Sequence, residues 1–174
     1  MKITLAEALP VRNNISRRIQ ELLQERNRVA FAEAEKGDTF EQSKRTIDIV
    51  TAELKEARED YLDLDDAVAE ANQKNKLTWD GKEISIIRAI ELNKQLRGEL
   101  KELKNFASKK KQERKGNNGW SNSDSNIIVH ALYDPEEYRK KAQKLEREVT
   151  RLSTEIDKKN FQVEFDFPSA DKYI

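Results

Sequence analysis

The stretch ISIIRAIELNKQLRGELKEL, residues 84–103, repeats the hydrophobic pattern of ITLAEALPVRNNISRRIQEL, residues 3–22, 81 positions later. Both stretches space apolar side chains at alternating steps of three and four, which is typical of a helix with one buried seam. Arg12 and Asn93 occupy the same polar position within the two patterns. The matching apolar pairs are Leu5 with Ile86, Ala8 with Ala89, Ile15 with Leu96, Ile19 with Leu100 and Leu22 with Leu103.

The first helix has recognisable end signals. Thr4 and Glu7 form the Ser/Thr-x-x-Glu capping box that starts a helix, although Pro10 predicts a kink or a later start. The residues KGD at 36–38 predict its end.

A second capping box is predicted at Thr39–Gln42, and apolar residues then keep heptad spacing from Phe40 to Ala71. So short a connection requires the two helices to lie antiparallel as a hairpin.

The second half follows the same plan. Leu77–Trp79, before an Asp-Gly pair, predicts a strand that enters a tight turn. Asp134 and Pro135 suit the N-cap and first residue of a fourth helix. Residues 126–133 and Val163–Phe165 are also β-prone, and we expect the three pieces to form one small sheet or to add edges to a sheet between subunits.

The sequence therefore predicts a mainly α protein, in which long antiparallel helical hairpins in tandem form a four-helix, coiled-coil-like bundle with short accessory β strands. The repeat is the preferred interpretation, although any two heptad helices resemble each other. The single elongated domain comprises hairpin one at 3–75, a turn at 76–84, hairpin two at 85–160 with an inserted loop or strand at 112–133, and a tail at 161–174.

Composition excludes several classes of function. Lys and Arg number 33, as do Asp and Glu, so the chain lacks the basic excess of a nucleic-acid-binding protein. Cysteine is absent, which suits a reducing cytoplasm, and no apolar run is long enough for a signal peptide or membrane span. We expect a cytoplasmic protein that binds neither nucleic acid nor membranes.

An acidic run at residues 56–70 is the strongest candidate for metal chemistry. Acids one helical turn apart can hold a divalent cation against a triphosphate, as in all-α nucleotide pyrophosphohydrolases. The alternative is a helix face that points into solvent, which is the commoner fate of such a run. The candidate ligands are Asp60, Asp63 and Asp66, with Glu99 and Glu102 as the pair on a partner helix.

Other reactive or aromatic residues favour structural roles. His130 lies in a strand-like segment, where a hydrogen-bonded structural histidine is expected, and Ser121, Ser123 and Ser125 near it lack an oxyanion site. The basic run 109–115 is interpreted as an exposed helix end. Trp79 and Trp120 are expected to pack against the bundle rather than to bind a partner.

Three segments together resemble the septicolysin-like family of small bacterial helical proteins. They are LAEAL at 5–9, NKLTWDGKEISIIRAIELNKQLRGEL at 75–100 and SNIIVHALYDPEEYRKKAQKLEREVTRLSTEIDKKN at 125–160. The resemblance implies a helical protein of uncharacterised activity and brings no catalytic residues with it.

The preferred functional interpretation is a non-enzymatic structural or interaction protein, a helical bundle that self-associates as a homo-oligomer and uses no cofactor. The alternative is a metal-dependent hydrolase of the pyrophosphohydrolase kind.

Overall fold

The protein is mainly helical, as predicted, in a computed structural model that describes residues 1–33, 35–37, 44–114 and 127–174. It divides into two compact units, Met1–Ile87 with Asp157–Ile174, and Arg88–Ile156. The helices are α1 (Leu5–Val29), α2 (Ile47–Lys74), α3 (Ile86–Ala107) and α4 (Pro135–Gln162). The strands are β1 (Lys2–Thr4), β2 (Lys76–Trp79), β3 (Lys82–Ser85), β4 (Gln112–Arg114), β5 (Ile128–His130) and β6 (Glu164–Asp166), and a 3-10 helix spans Pro168–Lys172.

The first unit is built on an antiparallel pair of helices, α1 and α2. Arg12 binds Asp65 and Arg18 binds Glu53, so contacts that advance along α1 move backwards along α2. The two helices therefore pack side by side in opposite directions. The buried apolar residues on the two helices are Leu5, Ala8, Val11, Ile15, Leu22, Val50, Leu54, Ala57, Leu64 and Ala71.

Helix α1 starts where the capping box predicts. The Glu7 amide donates to Thr4 Oγ1 at 3.2 Å, and the Thr4 amide donates to Glu7 Oε2 at 2.8 Å. The helix therefore begins at Leu5, and the later start that Pro10 suggested is wrong. Pro10 thus lies inside α1, and the hydrogen-bonded amides of Thr4 and Glu7 stabilise the start of the helix.

Two helix boundaries differ from the prediction. Helix α1 ends at Val29 and not near residue 36, and α2 begins at Ile47, after the N-cap Thr46, and not near Phe40. Val29 packs against the last apolar cluster of the hairpin, whereas Phe31 is exposed. Helices in proteins depend on a buried face, and the described residues 30–33 and 35–37 are all exposed. The predicted capping box at 39–42 lies outside the described residues.

The short strands form separate two-stranded ladders. Strand β1 pairs with β6, β2 with β3, and β4 with β5, so the prediction of one small sheet is wrong for the described residues. Strand β2 and the Asp-Gly turn are confirmed: Asp80 and Gly81 have φ of 46° and 76°, the left-handed backbone of a tight hairpin turn.

Two of these ladders are equivalent by the internal repeat. Ile3 pairs with Phe165 on β6, and Ile84, which is 81 residues after Ile3, pairs with Leu77 on β2. The next helix begins in the same way in both places. The Leu5 amide donates to the Val163 carbonyl at 3.0 Å, and the Ile86 amide donates to the Asn75 carbonyl at 3.0 Å. The matching sequences thus form matching backbone junctions.

The second unit contains most of α3 and α4, which are also antiparallel. Asn93 Nδ2 donates to Ser153 Oγ at 3.0 Å, while Lys104 binds Glu146 at 2.6 Å. Asn93 is buried, and its Oδ1 has no partner among the described residues. Helix α4 starts as predicted, because the Glu136 amide donates to Asp134 Oδ1 at 3.0 Å.

Two glycines should respond to alanine in opposite directions. We expect Gly81→Ala to lower the free energy of unfolding by ~1 kcal/mol, because φ there is 76° and an L side chain is strained at that angle. Gly98→Ala should raise it by up to ~1 kcal/mol, because Gly98 lies inside α3 with open space around it. Urea denaturation of both variants measures the pair, and the same sign for both would contradict it.

Candidate functional site

A two-stranded arm projects apolar side chains into solvent in the second unit. Here "the arm" means residues 111–114 and 127–132. Strands β4 and β5 are antiparallel, with Glu113 opposite Val129, and the Ala131 amide donates to the Lys111 carbonyl at 2.9 Å. These contacts fix the register of the two strands.

Aromatic rings hold the base of the arm against the helices. Phe106, Tyr133 and Tyr138 form a cluster with ring centroids 4.9 to 5.5 Å apart. The Tyr133 hydroxyl donates to the Phe106 carbonyl at 3.2 Å, and Lys111 Nζ donates to the Tyr133 carbonyl at 2.7 Å. Tilted aromatic pairs stabilise by ~0.5–1.5 kcal/mol each beyond their buried area, so the base is well anchored.

The strands themselves are covered by nothing within the described part of the unit. All six residues of β4 and β5 are exposed, and Ile128 and Val129 are each about half accessible at 50% and 52%. Leu132 is 97% exposed. An isolated pair of strands is marginal in water, and a run of large apolar side chains on it marks a binding surface.

Cations border this apolar surface. A hollow of about 490 Å³ occurs on the first unit, but the larger one, about 620 Å³, lies on the arm. Lys109, Lys110 and Arg114 line the arm's hollow together with Val129 and Leu132. His130 lies in β5, as predicted, and is exposed. Trp120, the three serines and Lys115 lie outside the described residues.

The basic run is not a helix end. Helix α3 stops at Ala107, and the Ser108 hydroxyl donates to the Asn105 carbonyl at 2.8 Å just beyond the last turn. Residues 112–114 continue as β4. These residues form a strand because their backbone groups hydrogen-bond to β5. If they were helical, the backbone groups of β5 would lose these partners.

The predicted metal ligands have different surroundings. Asp63, Asp66, Glu99 and Glu102 are exposed, whereas Asp60 is buried. Across the described ranges, no group of three or more His, Asp or Glu side chains is placed to hold a metal ion. The alternative of a metal-dependent hydrolase stays a prediction.

Asp60 binds the C-terminal segment. It is only 6% exposed, and it accepts hydrogen bonds from Ser169 Oγ at 2.6 Å, Tyr173 OH at 2.7 Å and Lys172 Nζ at 3.1 Å. Lys172 also donates to Glu56 at 2.6 Å. The sequence predicted either metal ligands or a solvated face for these acids, and the buried position of Asp60 fits neither. The missed signal is that Asp60 lies three residues after buried Ala57 and four before buried Leu64, on the helix's inner stripe.

The pKa of Asp60 reflects two opposing effects. Burial raises the pKa, but hydrogen bonds from Ser169, Tyr173 and Lys172 outweigh it and hold the pKa below its ordinary value. For Tyr173, burial and the hydrogen bond to Asp60 both raise the pKa above its ordinary value. The Asp60 carboxylate is thus a structural anion, and the side chains that donate hydrogen bonds to it all belong to this chain.

The hollow of the first unit is lined by charges that already have partners. Arg18 binds Glu53 at 2.9 Å, Lys172 binds Glu56 at 2.6 Å, and Asn14 Nδ2 donates to the Tyr173 carbonyl at 2.7 Å. These side chains fasten the C-terminal segment to α1 and α2, so the arm is the stronger candidate for a functional site.

Comparison with known proteins supports the fold. No family model matches the chain, and no curated protein matches it. Its structure is similar to the crystal structure of a functionally unknown conserved protein from Corynebacterium diphtheriae, with a TM-score of 0.65 and 24% identity. The match covers 95% of this chain and 100% of that one, so the similarity extends over nearly the whole fold. In the described residues, no helix is both long and apolar enough to cross a membrane.

Proposed function

We propose that this protein is a non-enzymatic structural or interaction protein that self-associates through its arm. The observation that carries the proposal is the apolar strand β5, whose side chains are exposed although the base of the arm is firmly anchored. A rigid base reduces the entropy lost on binding, because the strand does not have to be ordered at that moment.

Burial of the arm supplies a sufficient driving force. Covering a side chain such as Val129 or Leu132 stabilises by ~1.5–3 kcal/mol relative to leaving it in water. Three or four such residues, together with unpaired backbone groups at the strand edges, support an interface of moderate affinity.

A second copy of the chain is the proposed partner. The formal net charge is zero, so copies do not repel one another through a shared excess of charge. Most soluble oligomers are also built from identical chains. We further propose that the protein acts in the cytoplasm, since it has no cysteine.

The repeat supports a scaffold rather than an active site. The equivalent junctions at Leu5 and Ile86 are best explained as two copies of one helical hairpin joined in tandem. Packing of both hairpins into one coiled-coil-like four-helix bundle stays a prediction, as does the septicolysin-like resemblance.

Val129→Asp tests the proposed function. The wild-type protein should form a larger species as its concentration rises, and Val129→Asp should raise the dissociation constant ~10-fold or more, because a charge would be buried in the interface. Sedimentation velocity over a wide concentration range measures this constant.

Phe161→Asp is the matched control, because Phe161 is an exposed apolar residue of α4 at 73% accessibility and lies outside the arm. It should leave association unchanged. A wild-type chain that stays monomeric at every concentration, or equal effects of the two variants, would remove the proposal.

A further inference from the structure

We infer that the arm of one copy docks on the acidic face of α2 in a second copy, around Leu62. The inference rests on the proposed self-association and names its acceptor surface. The acceptor face comprises Leu62 and the three acids Glu59, Asp63 and Asp66.

Opposite charges are concentrated in separate parts of the chain. Residues 56–70 contain seven acids and one arginine, whereas residues 108–114 contain four cations and one acid. A chain with zero net charge can therefore present two strongly charged and complementary surfaces. This separation is the first argument for pairing one surface with the other between copies.

The charges of both surfaces are available. Lys109, Lys110 and Arg114 are exposed, and none of them forms an ion pair with any described residue. Lys111 differs, because its ammonium group donates to the Tyr133 carbonyl at 2.7 Å. Three cations thus border the apolar part of the arm without a partner in the described ranges.

The acceptor face has the same mixed character. Leu62 is 57% exposed in the middle of α2, and Glu59 and Asp66 lie one helical turn from it on either side. Glu59, Asp63 and Asp66 are exposed and form no ion pair within the described residues. Asp60 and Asp65 do not contribute, because they bind the C-terminal segment and Arg12.

A second apolar side chain extends this face. Leu9 is 61% exposed on α1, one turn from Arg12, and Leu62 is one turn from Asp65 on α2. Since Arg12 binds Asp65 at 2.7 Å, the two leucines lie on the same side of the hairpin. The face therefore offers leucines for the apolar strand and carboxylates for the bordering cations.

Pairing of two arms edge to edge is the main alternative. It would bring together two segments of the same sign, because residues 108–114 of each copy contain four cations and one acid, and like charges destabilise such a pair. Docking on α2 replaces that repulsion with attraction, so the charges favour the acceptor face.

Charge reversal on each surface tests the inference. Lys109→Glu with Lys110→Glu, which we call arm reversal, reverses the charge that borders the arm, and Asp63→Lys with Asp66→Lys reverses the acceptor face. We expect each double variant to raise the dissociation constant of the full-length protein ~10-fold or more in sedimentation velocity. The quadruple variant restores the attraction with exchanged signs, so its dissociation constant should return to within ~3-fold of wild type.

Three further measurements sharpen the result. In an equimolar mixture of the two double variants, the reversed arm of one variant should bind the reversed acceptor face of the other, and the native arm should bind the native acceptor face. The mixture should therefore associate more tightly than either double variant alone. Lys140→Glu with Lys144→Glu, which reverses two exposed lysines of α4, should leave association unchanged. Raising the salt concentration should weaken wild-type association, because screening acts on exposed charges.

The outcomes separate the two proposals. If arm reversal abolishes association while reversal of the acceptor face has no effect, self-association through the arm stands and docking on α2 is overturned. If the quadruple variant is no better than the double variants, docking on α2 is also overturned. If the wild-type chain never associates, the proposed function fails and this inference fails with it.

Discussion

Replacing Phe167 by alanine is expected to lower the free energy of unfolding by ~3–5 kcal/mol, the range for removing a buried aromatic side chain. Phe167 is 2% exposed and packs in a cluster with Ile3, Val11, Ile15 and Leu64. Its backbone is also fixed, since the Phe167 amide donates to the Met1 carbonyl at 2.9 Å. The surrounding elements are anchored at many points, so they cannot collapse to fill the cavity.

Urea denaturation followed by circular dichroism measures the loss. Phe161→Ala provides the matched control, because it removes the same atoms from an exposed position only six residues earlier in the chain. We expect that control to change the free energy by no more than ~0.5 kcal/mol. Equal effects of the two variants would show that the C-terminal segment does not pack as described.

Asp60→Asn is expected to lower the free energy of unfolding by ~1–3 kcal/mol near neutral pH. The amide has nearly the shape of the carboxylate, but it loses the charge and cannot accept all the hydrogen bonds from Ser169, Lys172 and Tyr173. Donors left without an acceptor in a mostly buried site carry a desolvation cost of this size.

The effect of Asp60→Asn should also depend on pH. The folded pKa of Asp60 lies below its ordinary value, so ionised Asp60 contributes its full stability above the unfolded pKa, which is ~3.9. That contribution is lost as pH falls through ~4 towards the lower folded value. The stabilities of wild type and Asp60→Asn should therefore converge in acid and differ most from pH ~6 upwards.

Asp63→Asn is the control for the acidic helix, because Asp63 is exposed three residues away on the same helix. It should leave both the stability and its pH dependence within ~0.5 kcal/mol of wild type. If the difference in free energy of unfolding between wild type and Asp60→Asn stayed constant down to pH 3, it would contradict a stabilising role for the ionised Asp60 carboxylate.

Local signals explain which parts of the fold could be predicted. The capping box at Thr4 and Glu7, the tight turn at Asp80 and Gly81, and the N-cap at Asp134 each depend on a few neighbouring residues. Their hydrogen bonds join residues within one turn of the chain, so the local sequence is enough to predict them. The same holds for the spacing of apolar residues that predicted the helices.

The candidate site was only partly readable in this way. The β-prone character of residues 126–133 predicted a strand, and β5 is there. The sequence could not show that Ile128, Val129 and Leu132 would remain exposed. A run of apolar residues in a sequence usually indicates a buried strand. Whether such a strand is covered depends on which other segments reach it.

By itself, the sequence determined a mainly helical protein with a repeated apolar pattern, a capping box at Thr4 and Glu7, an N-cap at Asp134, and a strand at Leu77–Trp79 that enters a tight turn. Only the tertiary structure decided that α1 ends at Val29, and that β1 pairs with β6 from the far end of the chain. It likewise decided that Asp60 is buried against Tyr173. The physical reason is the distance along the chain between the interacting residues. Caps and turns form hydrogen bonds between backbone and side-chain groups a few residues apart. Burial depends on distant segments, whose contacts form only once the chain has folded.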